Sequence, residues 1–134
     1  MPVRSMPIDA NKRLPELAAV RMRAALVGLQ LVREPLPRYK VFFRINIFNE
    51  GQGSVRLLGR KWQLEDACGN LQIIEAAQVF NDEPVLTPGA VFSFSGGHYF
   101  DKPPAYMALR LFGQEHNGHP FITPALVLPL AAAR

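Results

Sequence analysis

Alternation between apolar and polar positions is the strongest pattern in this chain. In Tyr39–Asn49, apolar side chains occupy every second position, and basic, polar and aromatic residues stand between them. A period of two predicts a β-strand with one apolar and one mixed face. The same pattern predicts shorter strands elsewhere, with turn signals about every 8–12 residues. These are Ala25–Val32, Val55–Leu58, Lys61–Ala67, Leu71–Ile74, Val91–Ser95, the alternating stretch Met107–Phe112, and Pro120–Leu128.

Residues near the N-terminus predict the one exception to this β pattern. Asn11 can cap a helix, Pro15 suits its first turn, and the residues that follow are rich in helix formers. The sequence therefore predicts a short helix to about Arg23. It divides the chain into an N-terminal leader with that helix, residues 1–24, and a β domain, residues 25–134.

Turn residues separate the predicted strands. Asn49–Gly53 is predicted to form a hairpin with positive φ, and Asp66–Asn70 a second hairpin in which Gly69 or Asn70 is left-handed. Together the strands and turns predict an all-β fold, an antiparallel β-sandwich.

Composition excludes several classes of protein. With 134 residues, 49% of them apolar and 19% charged, the chain is long and apolar enough for one core and is not a disordered tail. Its 12 prolines and 10 glycines argue against a coiled coil or helical bundle. A single cysteine excludes an internal disulfide scaffold and a zinc cage, and indicates a reducing, cytoplasmic location. No apolar stretch approaches the roughly 18 residues of a membrane span, and the start lacks the apolar region of a signal peptide.

Positive charge is concentrated towards the N-terminus. The formal net charge is +4, and residues 1–44 contain nine Lys or Arg against three acidic residues. Such a basic end could meet nucleic acid or anionic lipid. The basic residues are spaced out with no run of three, which disfavours nucleic acid as a partner and is typical of a solvated face.

Two segments are candidates for binding an anion or a protein. Arg60 and Lys61 precede Trp62 and could form a basic rim for an anion or an acidic partner. The stretch from Ser95 to Asp101 is predicted to be a flexible loop that presents aromatic residues to a partner. Its candidate residues are Gly96, Gly97, His98 and Tyr99.

No arrangement of residues in the sequence predicts catalysis or a cofactor. His116 and His119 are weak metal-ligand candidates, because histidines in polar turns rarely hold a metal without further ligands. Cys68 has no identifiable base beside it. Glu65 and Asp66 would point to opposite faces of a strand, which argues against a paired-carboxylate site.

Two segments of the sequence resemble the ApaG family. They are Leu57-Leu-Gly-Arg-Lys-Trp-Gln-Leu-Glu-Asp-Ala-Cys-Gly-Asn and Glu83-Pro-Val-Leu-Thr-Pro-Gly-Ala-Val-Phe-Ser-Phe-Ser-Gly. The resemblance implies a fibronectin type III or immunoglobulin-like sandwich. It also implies a protein-binding role, as in eukaryotic F-box proteins with this domain, and a link to cobalt and magnesium tolerance. The family often has a Gly-x-Gly-x-x-Gly stretch proposed to hold pyrophosphate; residues 76–81, which start at Ala76 and end at Asn81, have none of the three glycines.

We therefore expect a non-enzymatic sandwich that binds another protein, or itself, through a sheet edge or through residues 95–101. The alternative is a protein that responds to a small anion or nucleotide through Arg60 and Lys61. Divalent metal and phosphate are left open as ligands without support from a motif.

Overall fold

A computed structural model describes residues 14–76 and 83–130, which form nine β-strands and no helix. No helix within those residues is long and apolar enough to cross a membrane. The strands are β1 (Val20–Val32), β2 (Arg38–Asn49), β3 (Val55–Asp66), β4 (Leu71–Ala76), β5 (Val85–Leu86), β6 (Val91–Phe100), β7 (Pro104–Glu115), β8 (Pro120–Ile122) and β9 (Leu126–Pro129).

The strands are arranged in two antiparallel sheets. Sheet one has the order β1-β2-β6. Sheet two has the order β4-β3-β7-β8, with β5 on β3 and β9 on β7. The connections β2–β3, β5–β6 and β6–β7 pass from one sheet to the other. This arrangement confirms the predicted antiparallel β-sandwich.

The core fills the space between the inward faces of the sheets. Strand β2 supplies the alternating residues Val41, Phe43, Ile45 and Ile47, as the period-two pattern predicts. From sheet two, β3 and β7 contribute the facing apolar side chains. The residues buried there include Leu57, Trp62, Leu64, Met107, Leu109 and Leu111.

The predicted N-terminal helix is wrong within the described residues. Residues 14–19 contain no helix, and Val20–Arg23 already belong to β1. There, Arg21 pairs with Phe48 and Met22 with Ile47. Pairing with a neighbouring strand outweighs the small helix propensities of these residues. The part of the helix prediction that falls on residues 11–13 lies outside the described residues.

The predicted hairpin at Asn49–Gly53 is also wrong, because this segment passes between the two sheets. Neither Gly51 nor Gly53 has a positive φ. Instead, the buried side chain of Asn49 shapes the turn: its Nδ2 donates to the carbonyl oxygens of Gly53 and Leu86, each at 2.9 Å, and its Oδ1 accepts from the Gly51 amide at 2.9 Å. A side chain that satisfies the local backbone groups removes the need for a left-handed residue.

Three strand boundaries differ from the prediction. The two strands expected over 55–67 are one strand, β3, with a register shift between Leu57 and Gly59. The single strand expected over 120–128 is divided into β8 and β9. The loop expected over 95–101 is wrong for most of its length, because β6 continues to Phe100 and pairs with β2 throughout. By contrast, Gly69 has a φ of 89°, which confirms the predicted turn after β3.

Candidate functional site

Three rings from both sheets meet between the inward faces of the sandwich. The Phe43 and Trp62 ring centroids are 4.8 Å apart, and the His98 ring lies 5.2 Å from Phe43 and 4.7 Å from Trp62. Gly96 makes this packing feasible, because a Cβ there would lie 3.0 Å from Cζ of Phe43. The predicted partner-binding residue His98 is thus part of an aromatic cluster and does not lie on a mobile loop.

The imidazole of His98 is held in its neutral form. Its Nε2 is buried and has no hydrogen-bond partner among the described residues. Burial, and secondarily the positive charge of Arg60, lowers the pKa of His98 from 6.5 to about 4. Burial also lowers the pKa of the Arg60 guanidinium. This environment disfavours a second positive charge, so His98 is poorly suited to act as a proton donor near neutral pH.

The shifted His98 pKa predicts a loss of stability in mild acid. Between about pH 6.5 and 4 the unfolded chain binds a proton at this histidine while the folded chain does not, so stability falls as the pH falls through this window. We expect the free energy of unfolding to fall by roughly 2 kcal/mol across this window. This is less than the full pKa shift would give, because the imidazole keeps some contact with solvent. Urea unfolding of wild type and His98→Phe at several pH values measures it. The variant should lose less stability in acid than wild type; parallel pH profiles would contradict the assignment.

Arg60 and Lys61 do not form one basic patch. Arg60 pairs with Leu111 and shares the inward face of β3 with Trp62, while Lys61 pairs with Arg110 on the outward face. Lys61 lines a shallow groove of about 350 Å³ on the outside of sheet two, where Gln63 Nε2 donates to the Tyr106 hydroxyl at 3.3 Å. An anion site that uses both cations together, as expected from their adjacency, is therefore not formed.

Gly96, Gly97, His98 and Tyr99 also divide between the two faces of their strand. Gly96 pairs with Phe43 and His98 with Val41, both inward residues of β2. Gly97 pairs with Phe42 and Tyr99 with Lys40, whose side chains face outward. Only Gly97 and Tyr99 are thus placed to face a ligand on the outside of sheet one.

The histidines of the turn between β7 and β8 do not form a metal site within the described residues. The ring of His116 packs over Gly53, where an added Cβ would overlap its Nδ1. His119 is exposed at the end of the turn. No group of three or more His, Cys, Asp or Glu in residues 14–76 and 83–130 could hold a metal ion.

Asp66 organises the turn after β3. Its Oδ1 accepts from the amides of Cys68 and Asn70, at 2.9 and 3.0 Å, and its Oδ2 accepts from Asn70 Nδ2 at 2.9 Å. Hydrogen bonds, the largest from the Asn70 side chain, lower the pKa of Asp66. The carboxylate stabilises the hairpin, and Cys68 is exposed beside it.

The edge of sheet one at β1 carries a row of exposed apolar side chains, which the sequence analysis did not single out. Leu26, Leu29 and Leu31 are paired with inward residues of β2, yet they are 43%, 46% and 39% exposed. Val27, at a register shift, is 67% exposed. The alternation of leucines in the sequence was visible, but nothing in it could reveal that the second sheet leaves them uncovered. We call these four residues the β1 edge.

The fold defines this chain as a small antiparallel β-sandwich domain. The family model for the ApaG domain matches residues 32–109. The chain belongs to the ApaG family.

Individual relatives agree with this assignment. The protein ApaG of Aromatoleum aromaticum is 30% identical over 95 residues, which is 69% of this chain and 75% of that protein. The X-ray structure of structural-genomics target SoR45 has a TM-score of 0.73 at 20% identity, over 88% of this chain and 92% of that one. The Bordetella pertussis structure named ApaA has a TM-score of 0.67, also at 20% identity. The match covers 86% of this chain and 98% of that one. At that identity the two structures show the shared fold alone.

Proposed function

We propose that this protein is a non-enzymatic binding domain that holds an extended segment of another protein at the β1 edge. The observation that carries the proposal is the exposure of Leu26, Val27, Leu29 and Leu31 on a strand that, among the described residues, pairs with another strand on one side only. The family match begins at residue 32, so this proposal rests on the geometry of β1 and not on relatives.

An edge strand offers two kinds of contact at once. Its outer row of backbone N–H and C=O groups is a template for one more strand. On β1, Leu26, Leu29 and Leu31 lie on a single face of that strand. A partner strand with apolar residues at alternate positions would extend sheet one and cover these leucines. A long apolar edge that stays uncovered is prone to aggregation, so an edge of this kind is better explained by a partner protein that covers it.

Site-specific photocrosslinking in the cells that naturally produce the protein tests this proposal. A photoreactive phenylalanine analogue replaces Val27 on the β1 edge. The matched control position is Val127, a valine on β9 of the other sheet that is 57% exposed. We expect discrete protein adducts from position 27 and none from position 127. Mass spectrometry of the adduct identifies the partner and the segment that reached β1.

A second substitution distinguishes binding at the β1 edge from accidental contact. Leu29→Lys changes an exposed position and should leave the fold intact, but it should weaken the position 27 adduct about tenfold, because a charge would enter an apolar interface. An adduct between two copies of the chain would identify the partner as a second copy. Equal labelling from positions 27 and 127, or none from position 27, would overturn the proposal.

A further inference from the structure

The outward surface of sheet one combines positive charge with aromatic rings. The register of β1, β2 and β6 places these side chains on the face that points away from the core. We call this surface the basic–aromatic face; its cations are Arg21, Arg23, Arg38, Lys40 and Arg44, and its rings are Phe42, Phe48 and Tyr99.

Negative charge is absent from the three strands that form this face. None of β1, β2 and β6 contains an aspartate or a glutamate. Among the described residues, the one ion pair on the face joins Arg21 to Glu50 at its end, with 3.7 Å between Nε and Oε1. A cluster of cations without acids attracts a polyanion at long range.

The cations and rings of this face are in contact with one another. The Arg38 guanidinium lies 4.2 Å from the Tyr99 ring centroid. The Lys40 ammonium lies between two rings, 4.8 Å from the Tyr99 centroid and 5.0 Å from that of Phe42. Both of these rings therefore have a positive charge beside them, and a flat ligand stacked on either ring would have its own negative group close to a cation.

Phe42 lies at the centre of the face with a glycine on each side. In the register it is opposite Gly28 of β1 and Gly97 of β6. A Cβ added at Gly97 would lie 3.7 Å from Cδ1 of the ring, and one added at Gly28 would lie 4.0 Å from Cδ2. The ring thus spans the strand with one edge towards each glycine. Neither glycine has a side chain that would cover the ring. The Lys40 side chain does pass above Gly97, where an added Cβ would lie 3.0 Å from its Cε, so a base that stacks on Phe42 would lie beside this flexible cation or displace it.

We propose that the basic–aromatic face binds single-stranded nucleic acid. Bases would stack on Phe42 and its neighbouring ring Tyr99, and the arginines and Lys40 would neutralise the phosphates. Proteins that bind single strands combine an aromatic platform with a positively charged track in this way. Strand β2 has 12 residues and spans roughly 40 Å, enough for several nucleotides. The exposed Ser93 and Ser95 of β6 are small and leave room beside the rings.

The register explains why the sequence alone disfavoured nucleic acid. The cations are separated along the chain, with no run of three. Alternation along β2 places Arg38, Lys40 and Arg44 on one face, and pairing adds Arg21 and Arg23 from β1. Charges that look scattered in sequence therefore converge in the fold.

Other polyanions fit this face less well. An anionic membrane would draw on several exposed apolar side chains that can enter the lipid. Among the described residues of this face only Val91 and Tyr99 are exposed large apolar side chains, and the four of the β1 edge follow a strand margin instead. An acidic peptide would use the cations but leave the half-buried ring of Phe42 without a stacking partner. Phe42 is therefore the residue that separates nucleic-acid binding from general attraction of negative charge.

Fluorescence anisotropy with a labelled single-stranded oligonucleotide of about 12 nucleotides, prepared as oligo(dT) and oligo(U), tests this inference at about 50 mM salt. Phe42→Leu keeps an apolar side chain but removes the ring, and should weaken binding about tenfold. Arg44→Gln changes an exposed side chain and should reduce the slope of log K against log salt by about 0.7. Circular dichroism and urea unfolding establish that each variant is folded.

Matched controls come from the outward face of sheet two. Tyr106→Ala and Lys61→Gln remove a ring and a cation there, and both should bind the oligonucleotide as wild type does. The inference is overturned if the oligonucleotide does not bind, if Phe42→Leu binds unchanged, or if the control variants weaken binding equally. Equal affinity for a duplex, or binding only to phosphatidylserine vesicles or polyglutamate, also overturns it. None of these results affects the proposal for the β1 edge, because that proposal is tested by photocrosslinking from position 27.

Discussion

Trp62→Ala is expected to lower the free energy of unfolding by about 3–5 kcal/mol, which is a large part of the roughly 5–15 kcal/mol that stabilises a typical domain. The Trp62 side chain is only 2% exposed. It contacts two rings of sheet one, Phe43 on β2 and His98 on β6. Removing the indole leaves a cavity where the two sheets meet. Urea unfolding followed by circular dichroism measures the effect.

A matched truncation at an exposed position provides the control for this result. Leu71 on the edge strand β4 is 52% exposed, so Leu71→Ala should cost less than about 1 kcal/mol. If Trp62→Ala destabilised the protein no more than Leu71→Ala does, the indole would not lie between the sheets.

Gly113→Ala is expected to cost about 3 kcal/mol, although it adds only one methyl group. Gly113 is buried on β7, opposite Leu57 of β3 and Phe121 of β8. A Cβ there would lie 2.5 Å from the backbone oxygen of Arg56 and 2.6 Å from Cζ of Phe121. Backbone cannot move away as a flexible side chain can, so the strands must separate. Thermal and urea unfolding report the loss.

Gly28→Ala separates this steric effect from a general effect of alanine in a strand. An added Cβ at Gly28 has Phe42 Cδ2 as its nearest contact, at 4.0 Å, and φ there is not positive. We expect no loss of stability at this position, since alanine restricts the unfolded chain more than glycine does. A Gly113→Ala protein as stable as Gly28→Ala would contradict the packing of β7 against β3 and β8.

The sandwich could be predicted from the sequence because apolar and polar residues alternate along its central strands. Alternation in Tyr39–Asn49 predicted the inward face of β2, and the same alternation places Trp62 and Leu64 on the inward face of β3. The helix error shows where a local argument fails. Val20, Met22 and Ala24 alternate with arginines and satisfy a strand pattern as well as a helical one. Pairing with β2 decides between the two, and it is not visible locally.

The candidate site was harder to predict, for two physical reasons. Arg60 and Lys61 are adjacent, and adjacent residues in a strand face opposite ways; this could have been deduced once the segment was assigned to β3. The surroundings of Phe42 could not be predicted, because Gly28 and Gly97 are distant from it in sequence and become its neighbours only through the strand register. The exposure of Leu29 likewise depends on how far sheet two extends.

Hydrogen–deuterium exchange of the β1 amides tests the central claim, an open strand edge that is available to a partner. The measurement is made on the isolated chain at a concentration where it is a monomer. Alternate amides of β1, those that point away from β2, should exchange rapidly, while amides of the central strands β2 and β7 stay protected. Protection of every β1 amide to the level of β2 would contradict the claim, because the edge would then already be covered.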